Sequence, residues 1–205
     1  MTREKYLADI KDIKSIMERS SRFISLSGMS GVVAGCTALL GAYLAYQTVY
    51  AEQDYLSYRK AILNDQTILI LIGIAVGVLV VSLAVGIYFT QKKARKHNQK
   101  LWDSQSQRLV INLMIPLTAG GLLCLILLFK GFIGLIAPLT LLFYGLALVN
   151  ASKYTLSDIK SLGILEILLG LIGCQFVGFG LILWAVGFGL LHIIYGIMMH
   201  MKYGS

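Results

Sequence analysis

Long runs of apolar residues alternate along the chain with short stretches that carry almost all of its charge. Six apolar segments stand out, at residues 23–46, 67–89, 109–129, 131–151, 161–177 and 179–199. None contains Lys or Arg, and Glu166 is the single acid among them. About 20 apolar residues in helical conformation cross the hydrocarbon core of a bilayer, so each segment is predicted to be a transmembrane helix. Lys130-Gly131 separates the third from the fourth, and Gly178-Phe179-Gly180 separates the fifth from the sixth; glycine pairs of this kind suit tight turns. The predicted fold class is all-α: a polytopic membrane protein whose six helices form three antiparallel hairpins. Gly86/Lys92, Gly145/Lys153 and Gly196/Lys202 end the even-numbered segments alike, a loose threefold repeat.

Residues 1–22 read differently. Tyr6, Ile10, Ile13 and Met17 recur at helical spacing within a charged segment, which predicts an amphipathic helix. It would lie on the inner leaflet with its Lys and Arg toward anionic head groups, or offer a docking face to a cytoplasmic partner. No small-residue cleavage pattern follows a short apolar core, so this is not read as a signal peptide. Residues 200–205 form a short tail.

Composition agrees with the pattern. The chain is 57% hydrophobic and only 14% charged over 205 residues, with a mean hydropathy of +0.76. A soluble domain carries about 25% charged residues, so a water-facing enzyme, a nucleic-acid-binding domain and a disulfide-stapled secreted module all fit poorly. The net charge of +8 raises the question of a polyanionic partner. The placement of the charges answers it: 15 of the 18 Lys and Arg fall in residues 1–22, the second and fourth connections and the tail, and only Arg59, Lys60 and Lys130 fall on the opposite side. By the positive-inside rule both termini are expected in the cytoplasm of an inner-membrane, multi-pass protein. No nucleic acid partner is needed. Cys36, Cys124 and Cys174 lie inside segments and are expected as free thiols.

Helices in lipid associate through small residues and a few hydrogen bonds. Gly31 and Gly35 form one GxxxG pattern and Gly73 and Gly77 another. Gly163, Glu166, Gly170 and Gly173 share a face of the fifth segment, and Ala185, Gly189, His192, Gly196 and Met199 share one of the sixth. These are predicted packing surfaces, within the chain and in a homo-oligomer. Pro116 and Pro138 each fall seven residues into a segment, where proline removes a backbone donor and frees a carbonyl one turn earlier, at Asn112 and Gly134.

Glu166 and His192 are the candidate functional pair. Each lies thirteen residues from Phe179, the centre of the last turn. An antiparallel hairpin then puts them at one depth, about 20 Å below that turn. An isolated carboxylate there is costly and must be paired or protonated. Tyr195, Ser30, Ser82, Tyr144 and Asn112 fall near the same level, which suggests either interhelical hydrogen bonding or a ligand or proton site opening inward. Gly28-Met29-Ser30-Gly31 together with His192 resembles the rhomboid proteases, but that family carries its serine on the fourth core helix. No HExxH, P-loop or clustered-ligand pattern is present, so no catalytic residue, metal or cofactor is expected. Haem would need a second buried His facing His192.

Gly163-Ile-Leu-Glu-Ile-Leu-Leu-Gly170 and Gly187-Phe-Gly-Leu-Leu-His-Ile-Ile-Tyr-Gly196 resemble the Gly-spaced final hairpin of HdeD-like acid-resistance membrane proteins. That resemblance implies three short hairpins and no catalytic motif. Ala34 and Ala38 give a small-residue spacing similar to that of the substrate-binding subunits of energy-coupling vitamin transporters. The sequence thus points to binding or translocation of a small solute or proton, with a membrane scaffold or sensor subunit acting through residues 1–22 as the alternative.

Overall fold

The computed structural model describes residues 28–50, 65–96 and 102–203, together with Ile10. The amphipathic helix expected over residues 1–22 and the start of the first segment lie outside the described residues. The described chain is helical throughout, with no strand. Helix α1 spans Gly28–Tyr50, α2 Asp65–Lys96, α3 Ser104–Phe129, α4 Ile136–Ala151 and α5 Asp158–Gln175. The last helix, α6, is built from an α-helical start at Gly180–Trp184, a π-helical stretch at Ala185–Leu191 and an α-helical end at His192–Tyr203.

Five of these helices are long and apolar enough to cross a membrane. The remaining one, α5, has 18 residues, among them Asp158, Lys160 and Glu166. The apolar pattern also misplaces some boundaries. Helix α2 runs on beyond residue 89 through Lys92, Lys93, Arg95 and Lys96, because aliphatic stems let basic side chains continue a helix past the hydrocarbon edge. Helix α4 begins at Ile136 rather than 131, after a 3₁₀ turn at Ile133–Leu135. Pro138 therefore sits in a first turn, where its missing N–H would have had no partner in any case, and interrupts nothing.

Local chemistry sets the ends of α3. Asp103 Oδ1 accepts from the Ser106 backbone N–H at 2.7 Å, and Ser106 Oγ accepts from the Asp103 N–H at 2.8 Å, a reciprocal capping box. At the other end Phe132 N–H reaches Leu127 O at 2.9 Å and Gly131 N–H reaches Leu128 O at 3.0 Å. Gly131 supplies the positive φ of 81° that this helix stop requires.

Two close glycine crossings organise the bundle. On α4 and α5, a Cβ added at Gly145 would strike Gly163 O and Ile167, and one added at Gly163 would strike Gly145 O at 2.8 Å. On α1 and α6, a Cβ at Gly196 would meet Gly28 O at 2.8 Å and Val32 N at 2.6 Å. Further along, Gly35 abuts Gly189 O and Ile193, while Gly189 abuts Leu39. Gly31 completes this seam, with Gly196 Cα at 3.2 Å from its added Cβ. Gly170 lies against Pro138 O and Leu142 of α4.

The glycines of the α5 face pack mainly on α4 and those of the α6 face on α1, while Glu166 and His192 from the same two faces approach each other at 3.5 Å. Among the described residues, nothing lies within 4 Å of a Cβ added at Gly73 or Gly77. Helix α2 leans on α1 by its other side, through Ile74 and Val78 against Gly41. The described interior is correspondingly thin: Leu148, Leu156, Ile159 and Leu162 form its main cluster, at the end of the bundle that carries the basic residues.

Candidate functional site

Where α6 passes α5 and α4, it widens. The π-helical stretch Ala185–Leu191 adds a residue to the turn and takes backbone carbonyls out of the usual hydrogen-bond ladder. Gly187 lies in that stretch, and an added Cβ there would meet Glu166 Oε2 and Leu141. The absence of a side chain at 187 is what makes room for the Glu166 carboxyl.

Glu166 is fully buried and His192 is 9% exposed. Glu166 Oε1 lies 3.5 Å from His192 Nδ1, yet both carboxyl oxygens lack a hydrogen-bond partner. The nearer claim on Nδ1 is Gly187 O, at 2.9 Å. A carbonyl only accepts, so Nδ1 carries the proton and donates. In the neutral ring Nε2 then accepts from Tyr144 Oη–H at 2.8 Å. His192 is thus fixed at both nitrogens, with the carboxyl waiting just beyond bonding distance of the first.

An aromatic series continues from this cluster toward the other end of α6. The rings of His192 and Phe188 are 5.8 Å apart and stacked, Phe188 and Trp184 are 5.1 Å apart, and Tyr144 sits 4.9 Å from Phe188. Trp184 and Thr140 in turn border an apolar cleft of about 530 Å³ between α1, α2, α4 and the start of α6. This cleft lies beside the turns at residues 131–134 and 177–180, the end of the bundle opposite the basic one.

The structure brings together Glu166, His192 and Tyr144 of the sequence candidates. Tyr195 lies one turn past His192 and packs against the Leu148/Leu162 cluster. Ser30 is at the start of α1, between Gly28 and Gly31, which meet Gly196 and His200. Both ring nitrogens of His192 are engaged elsewhere, by Gly187 O and Tyr144 Oη. Asn112 serves the α3–α4 contact: its carbonyl accepts from Asn150 Nδ2 at 2.9 Å. Trp184, Phe188 and Gly187 were not singled out from sequence, although Trp184, Phe188 and His192 at four-residue spacing are a readable stripe.

Among the described residues no group of three or more His, Cys, Asp or Glu converges as a metal site would. Cys36, Cys124 and Cys174 are free thiols. Comparison with family models, with curated proteins and with solved structures finds no match.

Proposed function

We propose that this chain is a six-span inner-membrane protein, with both termini on the cytoplasmic side, that binds or translocates a proton or small solute at Glu166, His192 and Tyr144. The carrying observation is a fully buried carboxyl whose two oxygens have no hydrogen-bond partner. Such a group in hydrocarbon must be neutralised by a proton or a cation, and intramembrane ionisable residues mark proton and ion paths more often than they add stability. His192 has two alternative acceptors for its Nδ1 proton, Gly187 O and Glu166 Oε1, at 2.9 and 3.5 Å. A small ring rotation therefore connects the carboxyl to the Tyr144–His192 hydrogen bond.

In this reading α5 is the sixth span. Its glycines match α4 from Gly145/Gly163 to Pro138/Gly173, so it runs antiparallel to α4 over the same depth. Its charged start faces the basic end, where Lys202 holds Asp158 at 3.0 and 3.1 Å. Self-association belongs to the reading as well, with the open Gly73 and Gly77 side of α2 as the available small-residue surface.

The test is an infrared titration of the full chain in lipid. A carboxyl band that titrates in the wild type should be absent in Glu166→Gln and displaced in His192→Ala, with helix content unchanged in both. An identical titration response in both variants would sink the reading.

A further inference from the structure

The cleft and the buried carboxyl are joined by one face of α6, and this union indicates what kind of molecule the site takes. The cleft is bordered by Ala42 and Ala45 of α1, Leu71 of α2, Ala137 and Thr140 of α4, and Trp184 of α6. Among the described residues no Lys, Arg, His, Asp or Glu borders it. Its volume of about 530 Å³ falls within the range of small-molecule pockets. It therefore suits a compact apolar body and offers nothing to a multiply charged or sugar-like one.

The sign of any charge on that body follows from what lies beneath. Trp184 lines the cleft, and Phe188, Tyr144 and His192 continue from it as ring-to-ring contacts of 4.9 to 5.8 Å. Ring faces attract cations within about 6 Å of their centres and repel anions. The stack ends at Glu166, the single acid of the predicted membrane segments, whose oxygens have no hydrogen-bond partner. Among the described residues nothing basic borders the cleft to hold an anion.

We propose that the cleft binds a lipophilic organic cation over the Trp184 ring, and that binding displaces a proton from Glu166. This rests on the reading of Glu166 as a proton-binding group. The charges balance as an exchange: one monovalent cation enters the cleft, the Glu166 O–H bond breaks, and the proton leaves to solvent, its charge replaced by that of the bound cation. Trp184 and His192 are eight residues apart, about 12 Å along a helix. At an effective dielectric of about 20, attraction between unit charges over that distance is worth about tenfold in affinity.

The probes are tetraphenylphosphonium and tetraphenylborate, which share size and shape and differ in charge. The chain has two tryptophans, so the full-length Trp102→Phe variant in lipid nanodiscs leaves Trp184 fluorescence as the reporter of the cleft. Empty nanodiscs correct for partition into lipid. Tetraphenylphosphonium should quench Trp184 saturably and release protons into a weakly buffered dye solution, and tetraphenylborate should do neither. Glu166→Gln should weaken tetraphenylphosphonium about tenfold and abolish proton release, and Thr140→Trp should abolish quenching by filling the cleft. Equal response to the two ions would show a purely apolar cavity and overturn the proposal, as would the absence of saturable quenching or unchanged proton release in Glu166→Gln. The infrared titration without probe separates the two readings: a titrating Glu166 with no response to tetraphenylphosphonium leaves the proton site standing and removes the cation.

Discussion

The side-chain amide of Asn150 donates to the backbone carbonyl of Asn112 at 2.9 Å. That carbonyl is the one that Pro116, four residues on in α3, leaves without its helical partner. A defect within one helix thus becomes a contact between two. Replacing Asn150 with Leu should cost about 1 kcal/mol, the scale of a hydrogen bond between membrane helices. In a Pro116→Ala background the restored N–H satisfies Asn112, and the same replacement should cost close to nothing. Unfolding in mixed micelles gives the four values of this cycle; additive costs would refute the coupling.

The glycine crossings make a sharper contrast. Gly145→Ala drives a methyl into Gly163 O and the Ile167 backbone, which cannot swing aside as a side-chain tip can. A loss of about 1–3 kcal/mol is expected from such overpacking. Gly73→Ile and Gly77→Ile meet open space and should leave the stability of the single chain unchanged or slightly raised, since glycine is the weaker helix former. Any effect of this second pair should appear in oligomeric state alone, read by crosslinking in lipid.

Gly187→Ala separates the site from the scaffold. Its methyl would press on Glu166 Oε2 and the Leu141 side chain, both flexible ends, so the bundle should fold with a modest loss. The Glu166 carboxyl, however, must move away from His192. The infrared band of Glu166 should shift in Gly187→Ala and stay in place in the equally conservative Gly189→Ala, where the contact is with Leu39.

The Ser106 N–H holds the Asp103 carboxyl below the usual carboxylate range. Its folded pKa is therefore lower than its unfolded one. The stabilisation is complete above the unfolded value and is lost as pH falls through the folded value. Asp103→Ala should cost about 1 kcal/mol at neutral pH and flatten the acid limb of a thermal stability–pH curve. An acid limb of unchanged slope would place that limb elsewhere.

Tyr144→Phe removes the hydroxyl that occupies His192 Nε2 and leaves a buried acceptor unpaired, at about 1–3 kcal/mol. The nitrogen-15 resonance of His192 Nε2 should then shift, as that of a ring acceptor does when it loses its hydrogen-bond donor. No change in that resonance would mean that the hydroxyl is not its partner.

The helical class and the single acid within the apolar segments are readable from the sequence, since length, apolar runs and charge placement need no partner to be read. The equal spacing of Glu166 and His192 from Phe179 was likewise legible, because rise per residue fixes depth along an antiparallel pair. Tertiary structure alone decided which glycine met which. Gly163 had the same local pattern whether its partner was α6 or α4, and only the fit of Gly145 against it settles the choice. It also decided that Pro138 opens a helix and that α6 widens at Gly187. These depend on contacts between segments far apart in the chain, and residue spacing within one segment carries no record of them.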